Sequence, residues 1–113
     1  MEEPPALALD TGGGEGALGG LASDDLNATL VAWGPGGGSP EAVNAERDVL
    51  LVPLGGAGTV TIDGVEHELD PRRALVVPKG ARRRVTAGPN GIRYLSVHLR
   101  RPSTLQLGRA RTP

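Results

Sequence analysis

The hydrophobic and polar positions of this chain fall in short runs that glycine and proline separate. The clearest stretch is DVLLVPLGGAGTVTIDG, at positions 48–64. Within it, Val49 to Leu54 is an apolar run, and Thr59 to Ile62 alternates polar and apolar side chains, which is the period of a half-buried strand. The glycines between these two segments, at positions 55, 56 and 58, predict a turn.

The Asp63-Gly64 pair predicts a two-residue hairpin turn, because both central residues of a type I′ turn need positive φ. Val65 to Leu69 follows it with another strand pattern, so the whole stretch predicts an antiparallel meander. The same signals predict strands at Asn27–Trp33, Ala74–Val77, Ala81–Thr86 and Ile92–Leu99, with a turn at Gly88–Gly91. Many short strands without a helical period predict an all-β sandwich or barrel, in which no helix exceeds a turn or two.

One domain accounts for the 113 residues. We expect a weakly ordered N-terminal segment at 1–20, with at most a short edge strand at Ala6–Asp10, followed by a barrel at 21–101 and a loose C-terminal tail at 102–113. The glycine-rich start of the segment 34–48 predicts a flexible loop, since it has neither a phosphate-binding Gly-Lys-Ser/Thr motif nor a helical pattern after it.

Composition removes several classes of function. The chain contains no cysteine, which excludes disulfides, thiol catalysis and zinc–thiolate sites. It has one Trp, one Tyr and no Phe, so few rings are available for stacking on bases or sugars. The N-terminus lacks the basic start and long apolar run of a secretion signal, and no segment is apolar enough to span a bilayer. We therefore expect a cytoplasmic protein without a membrane partner.

Charge is divided between the two halves of the chain. No basic residue precedes Arg47, and no acidic residue follows Asp70. Because no nucleic-acid motif accompanies this division, we interpret the two halves as neutralising each other in the folded chain, and we expect no nucleic-acid partner.

Two motifs give the chain a resemblance to the cupin superfamily of small jelly-roll barrels. Asp48, six intervening residues and Gly55 have the spacing that ends the family's first motif, and Pro78-Lys79-Gly80 matches the Pro-x-Gly of the second. The resemblance spans about Asn27 to Leu99 and implies a cupin-like jelly-roll β-barrel, with pairing into a homodimer.

The resemblance also implies where a divalent metal would bind, and the residues there differ from the family pattern. The two histidine positions of the first motif fall on Ala42 and Asn44, or on Glu41 and Val43 if the spacer is one residue longer. Arg83 occupies the histidine position of the second motif, and a permanently charged guanidinium is not a metal ligand. Asp48 alone with a neutral Asn does not hold a transition metal against water. We expect no bound metal and no other cofactor.

Six side chains are candidates for binding a ligand inside the barrel: Asn44, Asp48, Arg83, Tyr94, Ser96 and His98. The last three share one face of the predicted final strand. We further predict that the guanidinium of Arg83 lies in the position of the missing metal and is bonded to Asp48, directly or through a ligand. The alternative that stays open is an Arg83 that extends to the barrel mouth and joins Arg82 and Arg84 in solvent.

Three functions remain open at this point. The first is a metal-free cupin-like domain that binds a small, possibly anionic, molecule or acts as an accessory or regulatory module. The second is a metal-independent enzyme, in which Arg83 clamps a small anionic substrate and Asp48 is the base. The third is a packed structural or interaction domain. For the homodimer, Val49, Leu51 and Pro53 are interpreted as a second apolar face, opposite Asp48.

Overall fold

A computed structural model describes residues 3–10 and 13–100, and in those ranges every regular element is a strand. The strands are β1 Gly16–Ala22, β2 Leu26–Trp33, β3 Ala42–Val43, β4 Val49–Ile62, β5 Val65–Leu69, β6 Leu75–Val77 and β7 Arg82–Leu99. The all-β prediction is confirmed. Among the described residues there is no helix with the length and apolar character needed to cross a bilayer.

Two long strands, β4 and β7, pair antiparallel and connect the two layers of the fold. The first half of β4 pairs with the second half of β7, for example Leu51 with Ser96, and the second half of β4 pairs with the first half of β7, for example Val60 with Val85. The strand order is β1-β2-β7-β4-β5, with β6 added to β4 and β3 added to β7. This arrangement folds one bent pair of strands over an interior space.

The predicted turns at positions 55–58 and 88–91 are wrong, because both strands run through these positions. The pairing shifts register there: Gly56 pairs with Ile92 and Gly58 pairs with Ala87. The segment 88–91 of β7 therefore lies opposite Ala57 alone. Glycine inside a strand marks a bulge as well as a turn, and this bulge bends the strand pair from one layer to the other.

Gly56 is required at this bend. Its φ is +70°, a conformation that side chains with a Cβ rarely adopt, and an added Cβ would overlap the carbonyl oxygen of Gly91. Gly55 beside it has ordinary φ and open space at the Cβ position. The predicted hairpin turn is confirmed, since Asp63 and Gly64 have φ values of 48° and 86°.

The core lies between the two layers. Its buried members are Val49, Leu51, Val60, Leu69, Val77, Ala81, Val85, Ala87, Ile92 and Tyr94. Val49 and Leu51 are each 1% exposed, and Pro53 is buried with them. The interpretation of these three residues as an outer apolar face is wrong, because the bend of β4 turns that face inward. The alternate residues Leu50 and Val52 face outward instead.

Two segments before β3 also differ from the predictions. Ala6–Asp10 forms no strand, whereas β1 begins at Gly16 and pairs with β2. The start of the 34–48 segment is held against β7 rather than extended freely, since the Ser39 amide donates to the Val85 carbonyl at 2.9 Å and the Ala87 amide donates to the Gly37 carbonyl at 2.7 Å. The predicted tail at 102–113 lies outside the described residues.

A pair of alanine substitutions tests the role of the bend. Gly56→Ala is expected to lower the free energy of unfolding by about 2 kcal/mol or more, because it combines a strained φ with overlap on the Gly91 carbonyl. Gly55→Ala is the matched control and is expected to change it by less than about 0.5 kcal/mol. Urea unfolding of both variants measures the difference, and equal effects would contradict this account of the bend.

Candidate functional site

A half-open cavity of about 230 Å³ lies inside the barrel, between β2, β4 and β7, with the start of β1 and the segment 39–42 at its edge. Its wall consists of Gly16, Ala17, Val31, Trp33, Ser39, Pro40, Ala42, Leu51, Arg83, Val85, Tyr94 and Ser96. Most of these residues are apolar. Small residues of β1 and of the 39–42 segment, among them Gly16, Ala17 and Ala42, lie at its edge.

Arg83 is the charged residue of this wall. It is half-buried on β7, directly paired with Ala42 of β3. Alanine is the smallest side chain with a Cβ, so this partner contributes only a methyl group to the wall beside the arginine. Within residues 3–10 and 13–100, the Arg83 side chain makes no ion pair or hydrogen bond. A partly desolvated cation without a partner favours the binding of an anion.

Tyr94 and Trp33 form a hydrogen-bonded pair on the wall. The Trp33 indole Nε1–H donates to the Tyr94 hydroxyl oxygen at 3.1 Å. Because this oxygen accepts from Trp33, the Tyr94 O–H remains available to donate to another group. Burial raises the pKa of the Tyr94 phenol, while the hydrogen bond from Trp33 and the positive charge of Arg83 act in the opposite direction.

Two serines complete the polar part of the wall. Ser39 Oγ accepts a hydrogen bond from the Val85 amide at 2.9 Å, which leaves its O–H free to donate. Ser96 has no hydrogen-bond partner for its hydroxyl among the described residues. No carboxylate or imidazole lines the described wall. The cavity thus presents one cation and three hydroxyl groups to whatever enters it.

Three of the six candidate residues meet in this cavity: Arg83, Tyr94 and Ser96. Asn44 lies outside it, where its side-chain oxygen accepts from the Glu46 and Arg47 amides at 3.1 and 2.9 Å. That bonding closes a tight turn after β3. Asn44 is therefore positioned as a turn residue and not as part of the wall.

Asp48 also lies outside the wall. Its exposed carboxylate accepts a hydrogen bond from the Lys79 amide at 2.9 Å and holds the turn before β7. The predicted direct bond between Asp48 and Arg83 is wrong for the described structure, since neither residue has the other as a partner. Asp48 directly precedes Val49, whose side chain points into the core, so alternation along β4 turns the carboxylate away from the interior.

His98 shares a strand face with Tyr94 and Ser96 but lies too far along β7 to reach the cavity. Each pair of residues advances a strand by about 7 Å, which carries His98 beyond the wall. There Asn27 Nδ2 lies 3.2 Å from His98 Nε2, and His98 Nδ1 lies 2.9 Å from the Leu99 carbonyl oxygen. These partners assign the proton to Nδ1, with Nε2 accepting from Asn27.

The positions that a cupin metal would use do not fit a metal ion in this chain. Ala42 lines the cavity and pairs with Arg83, whereas Glu41, Val43 and Asn44 are not part of the wall, so neither alignment brings two ligand positions into the cavity. An alanine, an amide engaged in a turn, an outward carboxylate and an arginine supply no ligand set. Across the described ranges, no three His, Asp or Glu side chains cluster in a way that could hold a metal.

Trp33, Ser39 and Ala42 are wall residues that sequence reasoning missed. The alternation of β2 places Val31 and Trp33 on one face, but it does not say which face points inward. The pairing of β2 with β7 identifies the inward face, because Val31 pairs with Tyr94 and Trp33 pairs with Ile92, and both partners are core residues. Ser39 reaches the site because the loop that contains it is hydrogen-bonded to β7. The glycine-rich sequence of that loop does not predict this pairing.

The single tyrosine gives a direct test of this geometry. The phenol absorbance of the folded protein is expected to titrate with a midpoint above the ordinary pKa of 10.0, because burial disfavours the phenolate. Trp33→Phe removes a hydrogen bond that stabilises the phenolate, so this variant should move the midpoint higher still.

The raised pKa also makes the free energy of unfolding depend on pH. The stability that Tyr94 contributes is present below the pKa of the phenol in the unfolded chain and is lost as pH rises through its pKa in the folded protein. A native midpoint equal to that in denaturant would contradict the burial of Tyr94.

No protein-family model matches the chain. A stretch of 41 residues is 49% identical to the dimethylsulfoniopropionate lyase DddW of Ruegeria pomeroyi, which is 36% of this chain and 27% of that protein. Another match of 41 residues is 46% identical to the 4-deoxy-L-threo-5-hexosulose-uronate ketol-isomerase of Escherichia coli, 15% of whose length it covers. The chain thus matches well under a third of either curated relative.

Solved structures resemble the chain over most of its length. A cupin protein from Bacteroides fragilis has a TM-score of 0.66 at 24% identity, over 74% of this chain and 72% of that one. KdgF from Halomonas sp. has a TM-score of 0.67 at 20% identity, over 77% and 80%. A cupin superfamily protein from Desulfitobacterium hafniense has a TM-score of 0.63 at 26% identity, over 71% and 72%. The resemblance carried by the two sequence motifs is confirmed, and the chain has the cupin jelly-roll fold.

Proposed function

We propose that this protein binds a small organic anion in the barrel cavity and that Arg83 holds the anion. The observation that carries the proposal is a guanidinium on a mostly apolar wall, with the Tyr94 and Ser96 hydroxyls on the same wall and, among the described residues, no carboxylate that pairs with it. A planar guanidinium gives a carboxylate two parallel hydrogen bonds in a fixed geometry.

The energetics favour an anion over a neutral molecule. Hydrogen bonds to a charged group contribute about 1.5–3 kcal/mol each in proteins. A neutral ligand that displaced water from Arg83 would leave the guanidinium less well solvated without restoring its charge balance. An anion replaces the lost hydration of the guanidinium and also neutralises its charge. Binding would therefore depend on Arg83 more than on any other residue of the wall.

The names of the two curated relatives point the same way. One is named for a propionate and the other for a uronate, and both are carboxylates. The matches cover too little of those proteins to bring their activities to this chain. They support a carboxylate as the class of anion, and the wall chemistry supports it independently.

Binding, in an accessory or regulatory role, is favoured over the metal-independent enzyme. The base proposed for that enzyme, Asp48, is exposed and faces away from the cavity. The titratable neutral group on the wall is Tyr94, and its raised pKa keeps the phenol protonated at neutral pH, so that no phenolate is present to act as a base. The packed-domain alternative is disfavoured by a cavity of about 230 Å³. Cytoplasmic placement stays a prediction.

The homodimer is proposed on a different face from the one that the sequence suggested. On the outside of β4 and its neighbours, Leu50 pairs directly with Val97 on one side and with Val76 on the other. Leu50 is 37% exposed and Val76 is 51% exposed. Exposed apolar residues that are adjacent on a sheet are a common contact surface between identical subunits, so we propose a second copy of this chain as the partner.

An arginine pair tests the anion site. Arg83→Gln is expected to abolish the increase in melting temperature that small carboxylates give to the wild-type protein, because it removes the charge and keeps most of the side-chain length. Arg84→Gln changes the neighbouring exposed arginine and is the matched control. Differential scanning calorimetry against a carboxylate panel makes the comparison. Equal responses of the two variants would mean that the carboxylates bind elsewhere.

A valine pair tests the dimer face. Val76→Lys is expected to convert a dimer into a monomer in sedimentation, since a buried unpaired ammonium opposes association. Val65→Lys, at a residue 58% exposed on β5, is the control and should leave the mass unchanged. A wild-type protein that sediments as a monomer at high concentration would remove the dimer proposal without affecting the anion site.

A further inference from the structure

We infer that the anion is a short monocarboxylate with an apolar body, bound with its carboxylate on Arg83 and the Tyr94 hydroxyl and its body against Val31, Leu51 and Val85. This inference rests on the proposed function and narrows it. It predicts that dicarboxylates and polyhydroxylated acids such as uronates, which are also organic anions, bind more weakly than the monocarboxylate.

The size of the cavity sets the first limit. A volume of about 230 Å³ lies below the roughly 300–1,000 Å³ that is typical of pockets for drug-sized ligands. A ligand enclosed by this wall is therefore small. Once the carboxylate is placed, only a short body remains.

The distribution of charge sets the second limit. Arg83 is the one cation on the described wall, so a second carboxylate would enter the cavity without a partner. An unpaired carboxylate in an apolar site loses its hydration without compensation. The cavity therefore selects against dianions.

The remaining wall sets the third limit. Val31, Leu51 and Val85 come from three strands and face the same space, with the Trp33 ring beside them. None of these side chains offers a hydrogen-bond acceptor. The hydroxyls of a sugar acid would each need a partner, and beyond Arg83 and Tyr94 the described wall offers them only the Ser39 and Ser96 hydroxyls, so it disfavours a polyhydroxylated ligand.

Trp33 acts as a positioning residue for the carboxylate. Its indole N–H occupies one lone pair of the Tyr94 oxygen, at 3.1 Å, so the Tyr94 proton is directed to a different acceptor. Arg83 and Tyr94 line the same cavity from the two halves of β7. Guanidinium and phenol thus present donors to one anion.

Fluorescence titration tests the inference, because Trp33 is the sole tryptophan of the chain and lies on the wall. The probes are acetate, butyrate and hexanoate, with succinate, glucuronate and uncharged butyramide for comparison, all at constant ionic strength. Affinity is expected to rise about fourfold for each methylene group that the cavity accommodates. Butyrate should bind at least tenfold more tightly than succinate, glucuronate or butyramide.

The outcomes separate the inference from the proposed function. Succinate or glucuronate binding as tightly as butyrate, with all binding lost in Arg83→Gln, would overturn the apolar monocarboxylate and leave the anion site standing. Butyramide binding as tightly as butyrate, or no binding by any carboxylate, would overturn the anion site itself.

A second variant tests the part assigned to the phenol. Tyr94→Phe keeps the ring and is expected to weaken butyrate binding about tenfold, the effect of losing one hydrogen bond to a charged group. Isothermal titration calorimetry reads this without relying on Trp33, and thermal unfolding checks that the variant is folded. Unchanged butyrate affinity in a folded Tyr94→Phe protein would remove Tyr94 from the site.

Discussion

The pairing of β4 with β7 across a bulge is the constraint on which the rest of this structure depends. It makes two layers from one pair of strands and turns the inner faces of both strands toward each other. Gly56 permits the bend because it has positive φ and no Cβ to meet the Gly91 carbonyl. The cavity follows from this geometry, since Leu51 of β4 and both halves of β7 contribute to its wall.

A cupin frame without metal-binding side chains leaves a cavity whose chemistry differs from that of a metal site. A metal ion would bring positive charge into the barrel. In this chain the positive charge belongs to the side chain of Arg83, which pairs with the small residue Ala42. Such a cation cannot exchange ligands or activate water as a metal does, but it can hold an anion in a fixed orientation. This difference favours a binding role for the cavity.

The sequence predicted the strand content, the Asp63-Gly64 turn and three wall residues, because alternation and turn chemistry are local properties. It failed where the same local signal has two structural outcomes. Glycines at 55–58 fit a turn or a bulge equally well, and only pairing with β7 selects the bulge. Asp48 has the spacing of a cupin ligand, yet its carboxylate is used by the Lys79 amide, a contact between residues far apart in sequence. Trp33 was missed because periodicity identifies a face without saying which side is inward.

The central claim is that Arg83 holds a carboxylate inside the barrel. A crystal structure of the protein with 4-bromobutyrate tests it most directly, because the anomalous signal of bromine locates the ligand body independently of the model phases. The account predicts bromine among Val31, Leu51 and Val85, with both carboxylate oxygens within hydrogen-bond distance of the Arg83 guanidinium. Bromine outside the barrel, or an Arg83 side chain turned to solvent with the carboxylate elsewhere, would contradict it.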